Sequence, residues 1–297
     1  MIESLEKITI QHLPHFSTQD VRVDILRLDL LHPIVSGNKW FKLKYYLEDA
    51  LAQNKKTIAT FGGAYSNHIV ATAYAAKEAG LQSIGFIRGE MPVHPSTTLR
   101  DASNYGMNLV FTERELYRNK EMIVQAESKN GFYWIMEGGH GKLGSKGAAD
   151  ILQATDTSNY SHILCAAGTG TMLSGLIRSA LPGQEIIGIS VLKNNIALEK
   201  EVLSLLPNED RMKRFSIQHT YHFGGYAKHP PELIAFMRET WAKEKIPTDI
   251  VYTSKLLFAA KDLIAANRFP GGARILLIHS GGLQGNTSLP PNTLPFS

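Results

Sequence analysis

Short apolar runs alternate with longer amphipathic stretches along most of this chain. KKTIATFGG, residues 55–63, is an apolar run that ends in glycines, and HIVATAYAAKEAG follows as an alanine-rich helix stopped by Gly80. LQSIGFIRGE, MNLVFTE and GFYWIMEGG read as further strands, and GAADILQA as a helix. HILCAAGTG is a strand that again ends in glycines, with TMLSGLIRSAL as the helix after it. EIIGISVL is a buried strand. PTDIVYTSKLLFAAKDLIAANRF is a turn leading into a helix, and ARILLIHSGG is a final strand. Wholly apolar strands between amphipathic helices predict an α/β fold with mostly parallel sheets covered by helices on both faces.

So many strands in 297 residues predict two lobes rather than one sheet. No internal repeat or low-complexity segment interrupts them, and the proline-rich tail SLPPNTLPFS reads as irregular. In such folds ligands bind beyond the carboxyl ends of strands, so the loops after TIATF, HILCA and RILLI are where chemistry belongs.

Composition narrows the class only a little. A chain 43% hydrophobic and 20% charged can build a sizeable core. The net charge of +4 is spread among acidic residues, whereas a nucleic-acid binder concentrates its charge on one face or tail. One cysteine, Cys165, allows no intramolecular disulfide and suits a reducing compartment. The start, MIESLEKITIQHLPHF, lacks the apolar run of a secretory leader. No stretch approaches the ~20 apolar residues of a membrane span. The expectation is a cytoplasmic protein with no membrane or nucleic-acid partner.

The strand-end loops carry the polar chemistry. CAAGTGTMLSGL, residues 165–176, places Gly168, Thr169, Gly170, Thr171 and Met172 between a strand and a helix start. Backbone N–H groups, hydroxyls and the helix dipole together form a phosphate cradle. A dinucleotide fingerprint fails because Gly175 comes too late, and a P-loop fails for want of its lysine. FGGAYSNHIV brings Ser66, Asn67 and His68 to a second helix start, where Ser66 or Asn67 could also serve simply as an N-cap. HSGGLQGN, DIVYTSKL and HFGGYAK put Ser280, Tyr252, Thr253 and Tyr226 in further loops. The histidines are scattered, and no metal site is expected.

VSGNKWFKLKYYLEDAL, residues 35–51, mixes Lys39, Lys42 and Lys44 with four aromatics. It could clamp nucleic acid, form an ordinary surface helix, or supply a reactive lysine. A helix beginning near Lys39 puts Trp40, Leu43 and Leu47 on one inward face and Lys39, Lys42 and Tyr46 on another. Lys44 is left to solvent. A cation at a helix start is unfavourable by about 0.3–1 kcal/mol. A neutral imine or a buried amine removes that penalty. A phosphorylated carbonyl cofactor needs a reactive lysine, a phosphate cradle and polar loops around a ring, and this chain has all three.

SGNKWFKL, GGAYSNH, AAGTGTMLSGL, FGGYAK, DIVYTSK and HSGGLQGN occur in this order across nearly the whole chain. In them the sequence resembles the 1-aminocyclopropane-1-carboxylate deaminase and D-cysteine desulfhydrase family. These are pyridoxal-phosphate enzymes of the tryptophan-synthase-β-like fold (fold type II).

The resemblance implies a larger cofactor-binding domain, 1–46 with 158–297, a smaller domain, 47–157, and a homodimer. It implies that Lys39 joins the cofactor aldehyde as an imine, and that Lys42 and Gly168–Met172 hold the phosphate. Asn67 then bonds the ring 3′-oxygen, and Thr253 faces the pyridine nitrogen. Ser66 contacts the substrate carboxylate or shuttles a proton, while Tyr226 and Tyr252 flank the substrate. The activity implied is release of ammonia and an oxo acid from a small amino acid.

This chain departs from the family at His68, and from its ring-opening branch at Thr253 and Ser280, where the desulfhydrase-like branch carries hydroxyl residues. His68 replaces a glutamine that, with Ser66, Asn67 and Ser280, would face the substrate. Ring-opening deaminases carry a glutamate where this chain has Thr253, and a leucine where it has Ser280. A neutral partner at the ring nitrogen weakens the electron sink, which suits β-elimination over cyclopropane opening. The chain is also short between GFIRGE and MEGGHG.

Overall fold

The computed structural model describes residues 8–296. The first seven residues of the stretch read above as lacking a leader lie outside them.

The chain builds two sheets. Strands β1 (Ile10–His12) and β2 (Arg22–Arg27) form first. Helix α1 (Asn38–Ala52) then leads into β3 (Thr57–Gly62), α2 (Asn67–Glu78), β4 (Gln82–Arg88), α3 (Thr97–Asn104) and β5 (Met107–Thr112). Two short helices, α4 (Arg114–Arg118) and α5 (Lys120–Ala126), precede β6 (Tyr133–Ile135) and α6 (Lys142–Gln153). The chain continues through β7 (His162–Ala167), α7 (Thr171–Ser179), β8 (Glu185–Ser190), α8 (Leu198–Leu205) and β9 (Phe215–Gln218). Helices α9 (Pro231–Glu244) and α10 (Thr253–Ala265) and strand β10 (Arg274–His279) complete it.

The six-stranded sheet runs β1-β2-β10-β7-β8-β9 and the four-stranded sheet runs β5-β4-β3-β6. Every pairing is parallel except β1 with β2. The central strands β7 and β8 are buried at every position, as their apolar runs require. The segments of the larger sheet flank those of the smaller one in the chain.

Each sheet has its own packing. Phe61 of β3 is fully buried, stacked on Trp134 at 5.3 Å and edge-on to Tyr117 at 6.0 Å. Truncating such a ring costs about 3–5 kcal/mol. Helix α6 packs between α1 and α7, close enough that a side-chain carbon on Gly175 would lie 2.4 Å from Ala148 Cβ. This tight triad of helices fixes α1 and α7, whose N-terminal ends both enter the candidate site.

The lysine-bearing helix differs in part from its periodicity. Trp40, Leu43 and Leu47 are buried as expected, but so are Lys42 and Tyr46, because neighbouring elements cover a second face of α1. Lys44 is not left to solvent alone: its Nζ lies 2.9 Å from the Asp150 carboxylate.

Candidate active site

Several chain segments converge beyond the carboxyl ends of β2, β7 and β10 and at the starts of α2 and α10. Together they enclose a cleft containing Lys39, Lys42, Asn67, Gly168–Met172, Tyr252 and Ser280. The packing of backbone against backbone makes this possible. Gly37, just before α1, has φ +63°, and a side-chain carbon there would lie 1.9 Å from the Ser280 carbonyl oxygen. No other residue type fits that turn and that approach together. The Asn38 N–H then donates to the Ser280 carbonyl at 3.1 Å, which pins the start of α1 to the loop after β10.

Two amines dominate the electrostatics. Lys39 Nζ has one modest partner, the Asn38 side-chain oxygen at 3.3 Å. Lys42 Nζ donates to the Gly138 carbonyl at 3.3 Å. Neither forms an ion pair with a carboxylate among the described residues. Burial lowers Lys39 to about 8. Burial, reinforced by Lys39, pushes Lys42 well below the ordinary lysine range. Cys165, buried nearby on β7, is raised by burial to about 12 and stays a thiol.

The phosphate-cradle residues fall together as the glycine pattern implies. Gly170 is the left-handed residue before α7, whose first-turn N–H groups have no intrahelical acceptor. The Thr169 and Thr171 hydroxyls lie 3.1 Å apart, and His140 Nδ1 lies 3.3 Å from Thr171 Oγ1. Sequence reading did not single out His140, and only the fold brings it here. A helix start beside two uncompensated lysines is a site for an anion.

The polar loops sort into those that face the cleft and those that do not. Asn67 Nδ2 donates to the Gly282 carbonyl at 3.2 Å, while its buried Oδ1 has no partner among the described residues. Such an orphan costs about 1–3 kcal/mol unless a ligand satisfies it. Ser66 occupies the N-cap position of α2, but its side chain makes no capping bond. The N-cap reading therefore does not account for its hydroxyl, which stands beside Asn67 outside the cleft lining. Tyr252 lines the cleft, and Tyr226, half exposed, brings its hydroxyl near that of Tyr252. Burial holds Tyr252 well above the usual phenol range.

His68 and Thr253 are turned into the fold. His68 is buried, with Nε2 2.8 Å from Thr60 Oγ1 and Nδ1 3.5 Å from Thr72 Oγ1. Thr60 donates its proton to the Ile135 carbonyl, so His68 Nε2 is the donor in that contact. Burial and the two lysines keep the ring neutral, well below its ordinary value. These bonds leave the ring no nitrogen for a substrate. The Thr253 hydroxyl donates to Asp249 Oδ2 at 2.6 Å and accepts the Asp249 N–H at 2.7 Å. Asp249 itself takes the backbone N–H groups of Val251, Tyr252 and Thr253. Neither His68 nor Thr253 lies among the residues lining the cleft.

A half-buried amine of lowered proton affinity, a buried second lysine, an anion-binding helix start and an unsatisfied amide oxygen fit one kind of guest, a phosphorylated aldehyde. These features define a protein that carries pyridoxal phosphate. The chain belongs to the family of pyridoxal-phosphate dependent enzymes, which matches residues 6–281.

A Pyrococcus horikoshii protein with the provisional name 1-aminocyclopropane-1-carboxylate deaminase is 29% identical over 292 residues, covering 93% of this chain and 89% of that one. The D-cysteine desulfhydrase of Serratia proteamaculans is 25% identical over 282 residues, covering 87% and 86%. The crystal structure of a homologue of 1-aminocyclopropane-1-carboxylate deaminase superposes with a TM-score of 0.81 at 27% identity, covering 94% of this chain and 90% of that one. The cofactor is pyridoxal 5′-phosphate, and the chain is an enzyme of this family. Among the described residues no helix is long and apolar enough to cross a membrane.

Proposed function

We propose that this protein is a lyase that releases ammonia and an oxo acid from a small amino acid by α,β-elimination, as a D-cysteine desulfhydrase does. The observation that carries this reading is the pair of carboxylate-free lysines of α1, Lys39 half-buried and Lys42 buried, beside the start of α7. Bound there, pyridoxal phosphate supplies an electron sink for the carbanion formed at the substrate Cα.

Lys39 would hold the aldehyde carbon. Its amine, lowered to about 8, is then able to move the α-proton near neutral pH once the substrate's own amine has taken its place. Lys42 and the N–H groups of Gly168–Met172 would hold the phosphate, and Asn67 the ring oxygen. Ser66 and Ser280 would orient the substrate carboxylate. Tyr252, held protonated, and Tyr226 would flank the substrate and offer a proton to the leaving group.

Elimination is favoured over ring opening by Thr253. It brings no carboxylate to the place where the ring nitrogen is expected, and its own proton already goes to Asp249. A residue there with no charge of its own suits a reaction whose electrons depart with a β-leaving group. The same reading divides the chain at 1–46 with 158–297 and at 47–157, supported by the two sheets. It also takes the protein to be a cytoplasmic homodimer.

The test is a panel of D- and L-amino acids read out by oxo-acid release, with cofactor supplied. Pyruvate from D-cysteine, lost in Lys39→Ala together with the visible imine band, is expected. Preferential release of 2-oxobutanoate from 1-aminocyclopropane-1-carboxylate would replace elimination with ring opening. An imine band without turnover on any amino acid would make the protein a non-catalytic pyridoxal-phosphate carrier.

A further inference from the structure

Among the described residues one buried lysine lies outside the cleft. Lys255, in the first turn of α10, is fully buried. It makes no ion pair among the described residues. Asp249 acts on it through space, but that carboxylate is already taken up by Val251, Tyr252 and Thr253. Lys255 Nζ instead donates to three carbonyls: Gly225 at 2.7 Å, His222 at 2.9 Å and Val191 at 3.5 Å. An ammonium has three donors and no acceptor, so three carbonyls are its natural complement.

Two of those carbonyls belong to the turn that ends at Tyr226. The turn is strained: Phe223, Gly224, Gly225 and Ala227 have φ of 51°, 92°, 126° and 53°. Its backbone bonds are local, Gly225 N–H to the His222 carbonyl at 2.9 Å and Lys228 N–H to the Gly225 carbonyl at 3.2 Å. Tyr221 and Phe223 anchor its first half to α10 through Asp262 and Phe258. Beyond Phe223, Ala227 packs on the core and Lys255 supplies the hydrogen bond that ties the Gly225 backbone to α10. The same helix start presents Tyr252, whose hydroxyl lies near that of Tyr226. Left-handed non-glycine residues persist only where the surroundings over-determine them.

We infer that Lys255 is a positioning residue that pins the 222–226 turn to the start of α10 and so holds Tyr226 against Tyr252 at the cleft. This rests on the proposed role of Tyr226, but the clamp itself can be tested without it.

The test compares wild type, Lys255→Met and Lys255→Gln, each with cofactor, by amide hydrogen exchange and by kinetics. Exchange in residues 222–227 is expected to rise about tenfold or more in Lys255→Met, with β7, β8 and β10 unchanged. Lys255→Gln, which keeps two donors, is expected to fall between the two. Unchanged exchange in the turn overturns the inference, as does a rise spread equally over the sheet.

In kinetics, Lys255→Met is expected to lower kcat about tenfold with KM within about twofold and the imine band intact. In a Tyr226→Phe background it should change kcat by less than about twofold, because the two act as a unit. A fully multiplicative double variant overturns the inference. If Tyr226→Phe alone leaves kcat at the wild-type value, the proposed role of Tyr226 fails, and the exchange data still decide the clamp. If Lys255→Met does not fold, Lys255→Gln carries both measurements.

Discussion

Replacing Lys39 with methionine should stabilise the cofactor-free protein, and only below a definite pH. Methionine is close in length and needs no counter-charge, so the change isolates the amine. Burial lowers Lys39 from 10.5 to about 8. At roughly 1.4 kcal/mol per pKa unit the full shift corresponds to about 3 kcal/mol. Lys39 is only partly covered, and solvent screening reduces this to about 1–2 kcal/mol.

The sign follows from proton linkage. Below pH 8 both folded and unfolded chains carry the charge, and the folded state bears the whole penalty. Between pH 8 and 10.5 the folded amine loses its proton while the unfolded one keeps it. The penalty fades over this window and is gone above it. Lys42 adds to the gain, since its own depression is partly due to Lys39.

Urea unfolding of both cofactor-free proteins in phosphate-free buffer, from pH 7 to 10.5, measures the difference. Lys39→Met should be more stable at pH 7, with the margin closing toward pH 10.5. A variant less stable than wild type at pH 7, or a margin that does not change with pH, refutes the claim that Lys39 is a partly desolvated, uncompensated amine.

His68→Gln tests the inward-facing histidine. The neutral ring resists protonation in the folded state, so its contribution is full above pH 6.5 and lost as the pH falls further. Acid titration followed by circular dichroism should show wild type losing stability relative to His68→Gln below pH 6.5, with KM for the substrate within about twofold at pH 8. Gly170→Ala places a side-chain carbon 2.9 Å from Val202 Cγ2 at φ +76°. It should cost about 1–3 kcal/mol in urea unfolding and weaken cofactor binding about tenfold, read from the imine band. Thr253→Glu should not convert the enzyme to ring opening. It buries a second carboxylate beside Asp249 and should lower the thermal midpoint, consistent with a cost of about 3 kcal/mol or more.

The strand-end loops were legible because parallel strands buried on both faces leave uninterrupted apolar runs, and HILCAA and RILLIH are both of this kind. Strand β2 was not, because RVDILR carries a charge in its middle. Asp24 is buried there only because Arg22, His12 and Tyr160 bond it, the last from 136 residues away. His68 illustrates the same limit. Its place in the SNH motif pointed to a substrate contact, but the partners that use up both nitrogens come from β3 and from the next turn of α2. Lys255 looked like any helix lysine between small and apolar residues, and only a turn some thirty residues earlier in the chain reveals its burial.

The lysines together show what separates chemistry from structure at this site. Lys44 has the Asp150 carboxylate at 2.9 Å and keeps its charge, with its affinity for protons raised. Lys255 has no ion-pair partner but has carbonyls for all of its donors, which suits a fixed cation that holds a turn. Lys42 has one carbonyl and faces a helix start and two hydroxyls, so it lacks an anion for its remaining donors. Lys39 has one side-chain amide oxygen at 3.3 Å. An amine so weakly solvated by its protein gives up its charge readily, and the uncharged amine is the form that attacks an aldehyde. Motif spacing places three of these lysines within two turns of one helix. What each can do follows from how many oxygens the rest of the fold supplies to it.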